Sequence, residues 1–326
     1  MKKLLLVFSF IIPLLFSSTS IVQTKAQELK EENIKCDNPS DSIVRIINNY
    51  EVFKSNGFVY KSDDKYTYII TSSDIVNNIS NYKVIYQNQS VKKATIVGYD
   101  SNNQVAILKT EKEQNIKPVC FANSDYLYKG QQNYAYGYLN MGSEFYIKTN
   151  LSQIGQLYSK SGYVNVYKNI VEMQGNNIFK GVSVFDELNR LIGMITSFDD
   201  GFDKGSYMTE SNKLLKIADS IVKTGKYEVN YIKYSLVDYN GLGSFFKESY
   251  GVSNKVESGV VITTFKPLKY IFGGLNQGMT IVAVNGIKVT NGYELDKQLS
   301  RYEKKDSVCL KVIKKNGKEA FYHVKV

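Results

Sequence analysis

Between residues 42 and 196, short runs rich in β-branched and aromatic residues recur at nearly even intervals, and few folds can absorb that pattern. The runs span 43–47, 57–60, 66–71, 83–86, 95–99 and 105–110, then 132–138, 153–158, 163–167, 181–185 and 191–196. Asn, Ser, Asp and Gly fill the gaps. Many short strands at this spacing predict an all-β barrel or sandwich. The 26 tyrosines and 16 phenylalanines supply core mass in a chain without tryptophan.

The period then changes. Over 212–224, Leu214, Leu215, Ile217, Ala218, Ile221 and Val222 fall on one helical face. Lys223 in the last turn and Gly225 just beyond it form a stop signal. A second unit follows over 231–326. It contains a hairpin around Asn285-Gly286 and a capping box from Asn291 to Glu294, which opens a helix carrying Leu295 and Leu299. Strands over 309–313 and 320–326 flank Asn316-Gly317.

The first residues read as an export signal: Lys2 and Lys3, an apolar run from Leu4 to Phe16, then small polar residues from Ser17 to Ser20. Cleavage is expected after Ser20 or after Ala26. The alternative is an uncleaved anchor over 4–22, interrupted by Pro13. Either way, the folded part is expected outside the cytoplasm, secreted or anchored to the membrane. Residues 27–40 read as a polar linker. Cys36, Cys120 and Cys309 exclude a dense disulfide framework and a cysteine zinc site of standard spacing. Cys36 and Cys120 could pair in an oxidising compartment, but three unpaired, mostly buried thiols are the expectation. The net charge is +10. Such a charge draws an exported protein toward an anionic envelope surface. The basic residues are scattered and no nucleic-acid motif appears, so nucleic acid is not an expected partner.

Several blocks, read in order, resemble the HtrA family of envelope proteases, which have a trypsin-like domain followed by a PDZ domain. Residues 42–46 resemble its first strand. Residues 57–60 and 68–76 resemble the stretch ending at the catalytic histidine, and 94–100 with 104–109 the block holding the catalytic aspartate. Residues 129–137 resemble the strand before the mid-barrel loop. Residues 172–185 stand where the serine block stands, with 191–196 and 205–208 matching the segments after it. Gly278 to Val289 resembles the PDZ string around an Asn-Gly turn, with Met279 replacing the usual aspartate. The resemblance implies a mainly β chain: a chymotrypsin-like double β-barrel over 41–226, after a signal or anchor over 1–26 and the linker, then an α+β PDZ-like domain over 227–326. Residues 237–254 are longer and more polar than that pattern and read as an insertion.

The resemblance also locates a departure. Asp74 stands at the histidine position, Gln104 at the aspartate position and Lys180 at the serine position, while Ile178 replaces the oxyanion-hole glycine. The one histidine is His323, in the last predicted strand, where alternation suggests a surface position. A hydroxyl is a poor nucleophile without a neighbouring base, and a carboxylate is a weak base at neutral pH. No catalytic residue is therefore expected. The expectation is an ion pair between Asp74 and Lys180 with Gln104 hydrogen-bonded to Asp74; the alternative leaves both charges in solvent. An active endopeptidase with another arrangement, such as Ser183 with Lys180 or a role for Ser72 or Ser73, is the competing reading. The PDZ-like unit is expected to hold a peptide carboxylate near Ile232, Lys233 and Tyr234. Expected partners are peptides and unfolded or partner proteins, with no cofactor and no metal. The resemblance also implies a homotrimer, for which exposed aromatics near Tyr50 and Phe53 would be suited.

Overall fold

The computed structural model describes residues 35–76, 81–139, 142–173, 180–198, 206–263 and 274–326. The segment 1–26, most of the 27–40 linker and Ile178 lie outside them.

Six strands form the first barrel: β1 (Ile43–Asn48), β2 (Phe53–Ser62), β3 (Tyr66–Ser72), β4 (Tyr82–Ile85), β5 (Val91–Asp100) and β6 (Val105–Glu111). They close in the order β1-β2-β3-β6-β5-β4. Val44, Ile46, Val59, Ile69, Val84 and Leu108 alternate inward and fill it. The second barrel consists of β7 (Gln132–Tyr138), β8 (Glu144–Ser161), β9 (Val164–Glu172), β10 (Ser183–Phe185), β11 (Leu191–Phe198) and β12 (Ser206–Glu210), closed as β10-β11-β12-β9-β8-β7. Closure removes the edges that would otherwise template aggregation. The sequence pattern misses the pairing role of β12, whose Tyr207 and Thr209 break the apolar run. It also truncates β8, an 18-residue strand kept in register through several bulges.

Helix α1 (Ser211–Thr224) follows β12 and ends at Gly225, left-handed at φ 80°, as the stop signal predicts. Its Leu214, Ile217, Ala218 and Ile221 are fully buried in a cluster that both barrels share through Ile43, Phe58, Ile107, Phe185 and Leu191. Burying each large aliphatic side chain contributes about 2 kcal/mol. The helix therefore fastens the two barrels together.

The last unit is a sheet ordered β13 (Leu236–Asp238), β14 (Val260–Ile262), β15 (Thr280–Val284), β17 (Ser307–Ile313) and β18 (Glu319–Lys325), with β16 (Ile287–Lys288) paired to β15. Helix α2 (Ser244–Tyr250) lies within the polar stretch 237–254, and α3 (Gly292–Leu299) covers the core with Leu295 and Leu299. Asn291 caps α3 by accepting from the Glu294 amide, while Glu294 reaches back to the Thr290 amide at 2.7 Å. His323 is exposed on β18.

Two expectations are corrected. Cys36 and Cys120 form a disulfide, leaving Cys309 as the free thiol. Backbone bonds place Cys36 against the turn before β11 and Cys120 against Leu191, so the two cysteines converge on one loop. Phe53 is half-buried and packs against the shared core, because its alternation places it inward; Tyr50 is 85% exposed.

Candidate functional site

The boundary between the barrels is a polar seam. Asp74 sits in the helical turn after β3, where Ser72 Oγ accepts from its amide at 3.4 Å. Lys180 sits just ahead of β10. Its carbonyl accepts from the Asn56 amide at 3.2 Å and from Ser55 Oγ at 3.0 Å, both on β2. Thr71 Oγ1 donates to the Asn56 carbonyl at 2.6 Å. The Asn56 side chain exchanges two hydrogen bonds with the Tyr138 backbone on β7. This stitching brings the Lys180 ammonium against the Asp74 carboxylate as an ion pair, with side chains 33% and 40% exposed. Gly181, at φ 84°, follows Lys180. A Cβ there would lie 2.0 Å from the Asn56 carbonyl oxygen, so the segment can approach β2 only as glycine.

Gln104 departs from expectation. Its side-chain oxygen does not meet Asp74; it accepts from Lys168 Nζ at 2.6 Å. Lys168 on β9 is 2% exposed and also donates to Thr196 Oγ1 at 2.8 Å and Ser197 Oγ at 3.3 Å. The Tyr158 ring lies 3.9 Å from its ammonium. The physical reason is the larger need: a buried ammonium must find acceptors, whereas a carboxylate at 40% exposure has water. Burial pushes the Lys168 pKa down to about 7, helped by the Lys180 charge and opposed by Asp74 and Asp100. Sequence reasoning misses Lys168 because a lysine at the end of an apolar run reads as exposed. The available signal is its parity with Val166 and Ile170, which both face inward.

Of the candidate nucleophiles, Ser72 and Ser183 are enclosed and Ser73 is half-buried. Ser72 and Ser183 are fully buried, as is Thr196 beside Lys168, and among the described residues Ser183 Oγ has no hydrogen-bond partner. Ser73 uses its amide to bond the Gln104 carbonyl at 3.0 Å.

In the last unit, a narrow groove with only about 30 Å³ of accessible space, room for about one water, lies between the β13 edge and α3. Ile232, Leu236, Val260, Leu295 and Leu299 form its apolar floor, and Tyr167 of the β8–β9 hairpin forms the opposite wall. Of the three predicted carboxylate-loop residues, Ile232 lines this groove, Lys233 is exposed beside it and Tyr234 is buried in the core.

Two closed six-stranded barrels bridged by a helix define a trypsin-like architecture. The family described as "Trypsin-like peptidase domain" matches residues 55–194. Among curated relatives, "Serine protease Do-like HtrA" of Lactococcus lactis subsp. cremoris is 24% identical over 84% of this chain and 70% of its own length. "Protease Do-like 1, chloroplastic" of Arabidopsis thaliana is 25% identical over 81% of this chain and 61% of its own length. The solved structure titled "HtrA-type protease AlgW with tripeptide" has a TM-score of 0.63 at 17% identity, covering 87% of this chain and 93% of that one. "HtrA-type protease AlgW with decapeptide" has a TM-score of 0.60 at 17% identity, covering 84% and 82%. The chain has a trypsin-like fold and is similar in sequence and architecture to HtrA-type serine proteases.

Proposed function

We propose that this chain is an exported HtrA-like pseudoprotease that binds peptides or partner proteins without cleaving them. One observation carries the reading: the Lys180 ammonium and Asp74 carboxylate neutralise each other where the family's serine and histidine would stand. A protonated lysine beside a carboxylate is no nucleophile, and that carboxylate, already neutralised, is a poor base. The chain's one histidine, His323, lies on β18, outside the seam. The edge position of β13, beside α3, supports the binding role. A peptide adding to the β13 edge, as peptides do on PDZ-like domains, would lie beside α3 once the wall formed by Tyr163 to Tyr167 moves aside. The Cys36–Cys120 disulfide supports an oxidising, extracytoplasmic location.

The test is casein and peptide cleavage by the full chain, with a serine-reactive fluorophosphonate probe alongside. No turnover and no labelling are expected. In the same preparation, fluorescent C-terminal peptides should bind, and reversing the exposed charge with Lys233→Glu should weaken that binding. Turnover that persists in Lys180→Ala and Ser183→Ala would overturn the reading.

One observation favours the competing endopeptidase. Lys168, with its lowered pKa, contacts two hydroxyls, as a lysine base would. Burial weighs against it: Lys168, Thr196 and Ser197 are all at most 3% exposed, so no peptide carbonyl reaches them. Casein turnover lost in Lys168→Met would favour this second reading.

A further inference from the structure

Helix α2 buries none of its residues. It turns Phe245 and Phe246 outward, 73% and 50% exposed, with ring centroids 5.5 Å apart. Phe246 in turn packs on Tyr250 at 6.1 Å. A stable helix normally buries an apolar stripe, and this one presents its aromatics to solvent instead.

Lysines lie on α2, at its end and on the adjoining β17–β18 turn. Lys247 Nζ sits 3.7 Å from the Tyr239 ring. Lys315 comes up against the end of α2, where a Cβ on Gly251 would lie 3.3 Å from its Nζ. Lys255 runs alongside Gly317 in the β17–β18 turn, which also carries Lys314 and Lys318. Among the described residues none of these five lysines joins an ion pair, whereas nearby Lys311 is held by Glu319 at 2.8 Å. Over 244–258, Lys247 and Lys255 are matched by Glu248 and Glu257, so the positive excess comes from Lys314, Lys315 and Lys318 of the β17–β18 turn.

We infer that α2 docks on an anionic lipid bilayer, its two phenylalanine rings entering the boundary between headgroups and acyl chains while the lysines meet lipid phosphates. Aromatic wedges with lysines nearby are the chemistry of interfacial membrane binding. The long lysine stems can follow the rings inward while their ammonium groups stay at the surface. Two rings on a seven-residue helix offer far less than the roughly 800 Å² per partner of a standard protein interface. A bilayer needs no such area, and the net charge of +10 favours the same partner. This site is separate from the groove and the seam and stands whether or not the chain cleaves peptides.

The absence of tryptophan makes the test local. In the full chain, Phe245→Trp installs a single emitter on the patch, and Tyr50→Trp installs one on the first barrel as a control. Vesicles containing phosphatidylglycerol should blue-shift the emission at 245 and expose it to quenching by brominated acyl chains. Pure phosphatidylcholine vesicles should not, and the emitter at 50 should respond to neither. Adding Lys255→Glu and Lys315→Glu should raise the lipid concentration for half-maximal shift at least about tenfold. If the N-terminal segment alone brings the chain to vesicles, the emitter at 245 stays solvent-like and the proposal fails. Equal shifts with both lipids, or no effect of the lysine reversals, would also overturn it.

Discussion

Lys180 Nζ and Asp74 Oδ2 meet across the barrel boundary, joining the segment before β10 to the turn after β3. The pair is partly exposed, and such pairs contribute about 1 kcal/mol or less. Its consequence is therefore chemical more than structural. Lys180→Ala and Asp74→Ala should each move the urea midpoint little, and a double-mutant cycle should return a coupling of about 0.5 kcal/mol. A coupling several times larger would mean that the pair, and not α1 alone, holds the barrels together.

Lys168 sets a pH dependence. An unfolded lysine titrates near 10.5, while in the folded chain burial brings this one to about 7. Between those values the unfolded state binds more protons, so stability should rise with pH across that window. The penalty of burying the charge is full below pH 7. Within the window, stability should grow by about 1.4 kcal/mol for each step of one in pH, less whatever solvent relaxation screens. Urea titrations at pH 6, 7, 8 and 9 should show increasing stability, and Lys168→Met should flatten the trend. A slope unchanged by the substitution would assign the effect to other groups.

What the sequence reveals and what it hides divide along physical lines. The short runs are legible because side chains alternate on a pleated strand, and the stop signal at Lys223 and Gly225 is legible because it is chemistry local to one turn. The ion pair is within reach because the family resemblance places Asp74 and Lys180 at neighbouring positions. Gln104 takes a different partner because the decisive neighbour, Lys168, lies 64 residues away and announces itself only through strand parity. The β8–β9 wall of the groove is hidden for the same reason: nothing local in 163–167 says which distant helix it will meet.

Gly181 is a backbone requirement at the seam. Gly181→Ala meets both the left-handed φ of 84° and the Asn56 carbonyl at 2.0 Å. A cost of at least about 2 kcal/mol is expected, with displacement of the segment that carries Lys180. Thermal unfolding checks the first effect. Loss of protection at the Asn56 amide in hydrogen exchange checks the second, since that amide donates to the Lys180 carbonyl.

The last unit is latched to α1 by buried chemistry. Lys213 meets Asp296 at 2.6 Å with side chains 11% and 16% exposed, and Tyr293 donates to Glu210 at 2.6 Å beside them. Burial opposes the Lys213 charge, but the Asp296 carboxylate outweighs it and holds its pKa above the usual lysine value. The stabilisation is therefore complete below pH 10.5 and lost only as pH rises through the higher folded value. Burial raises the Glu210 carboxyl, while the Tyr293 hydroxyl and the Lys297 and Lys213 charges oppose that rise. Asp296→Asn leaves the ammonium without its counter-charge and should cost about 3 kcal/mol, whereas replacing both partners with Lys213→Met and Asp296→Leu should recover much of that loss. Limited proteolysis within 225–235 should accelerate in the single variant and return toward the parent rate in the double. Equal proteolysis in all three would place the latch elsewhere, among the Asp125 pairs with Lys297 and Arg301 and the Lys216 bonds to the Ser300 and Tyr302 carbonyls.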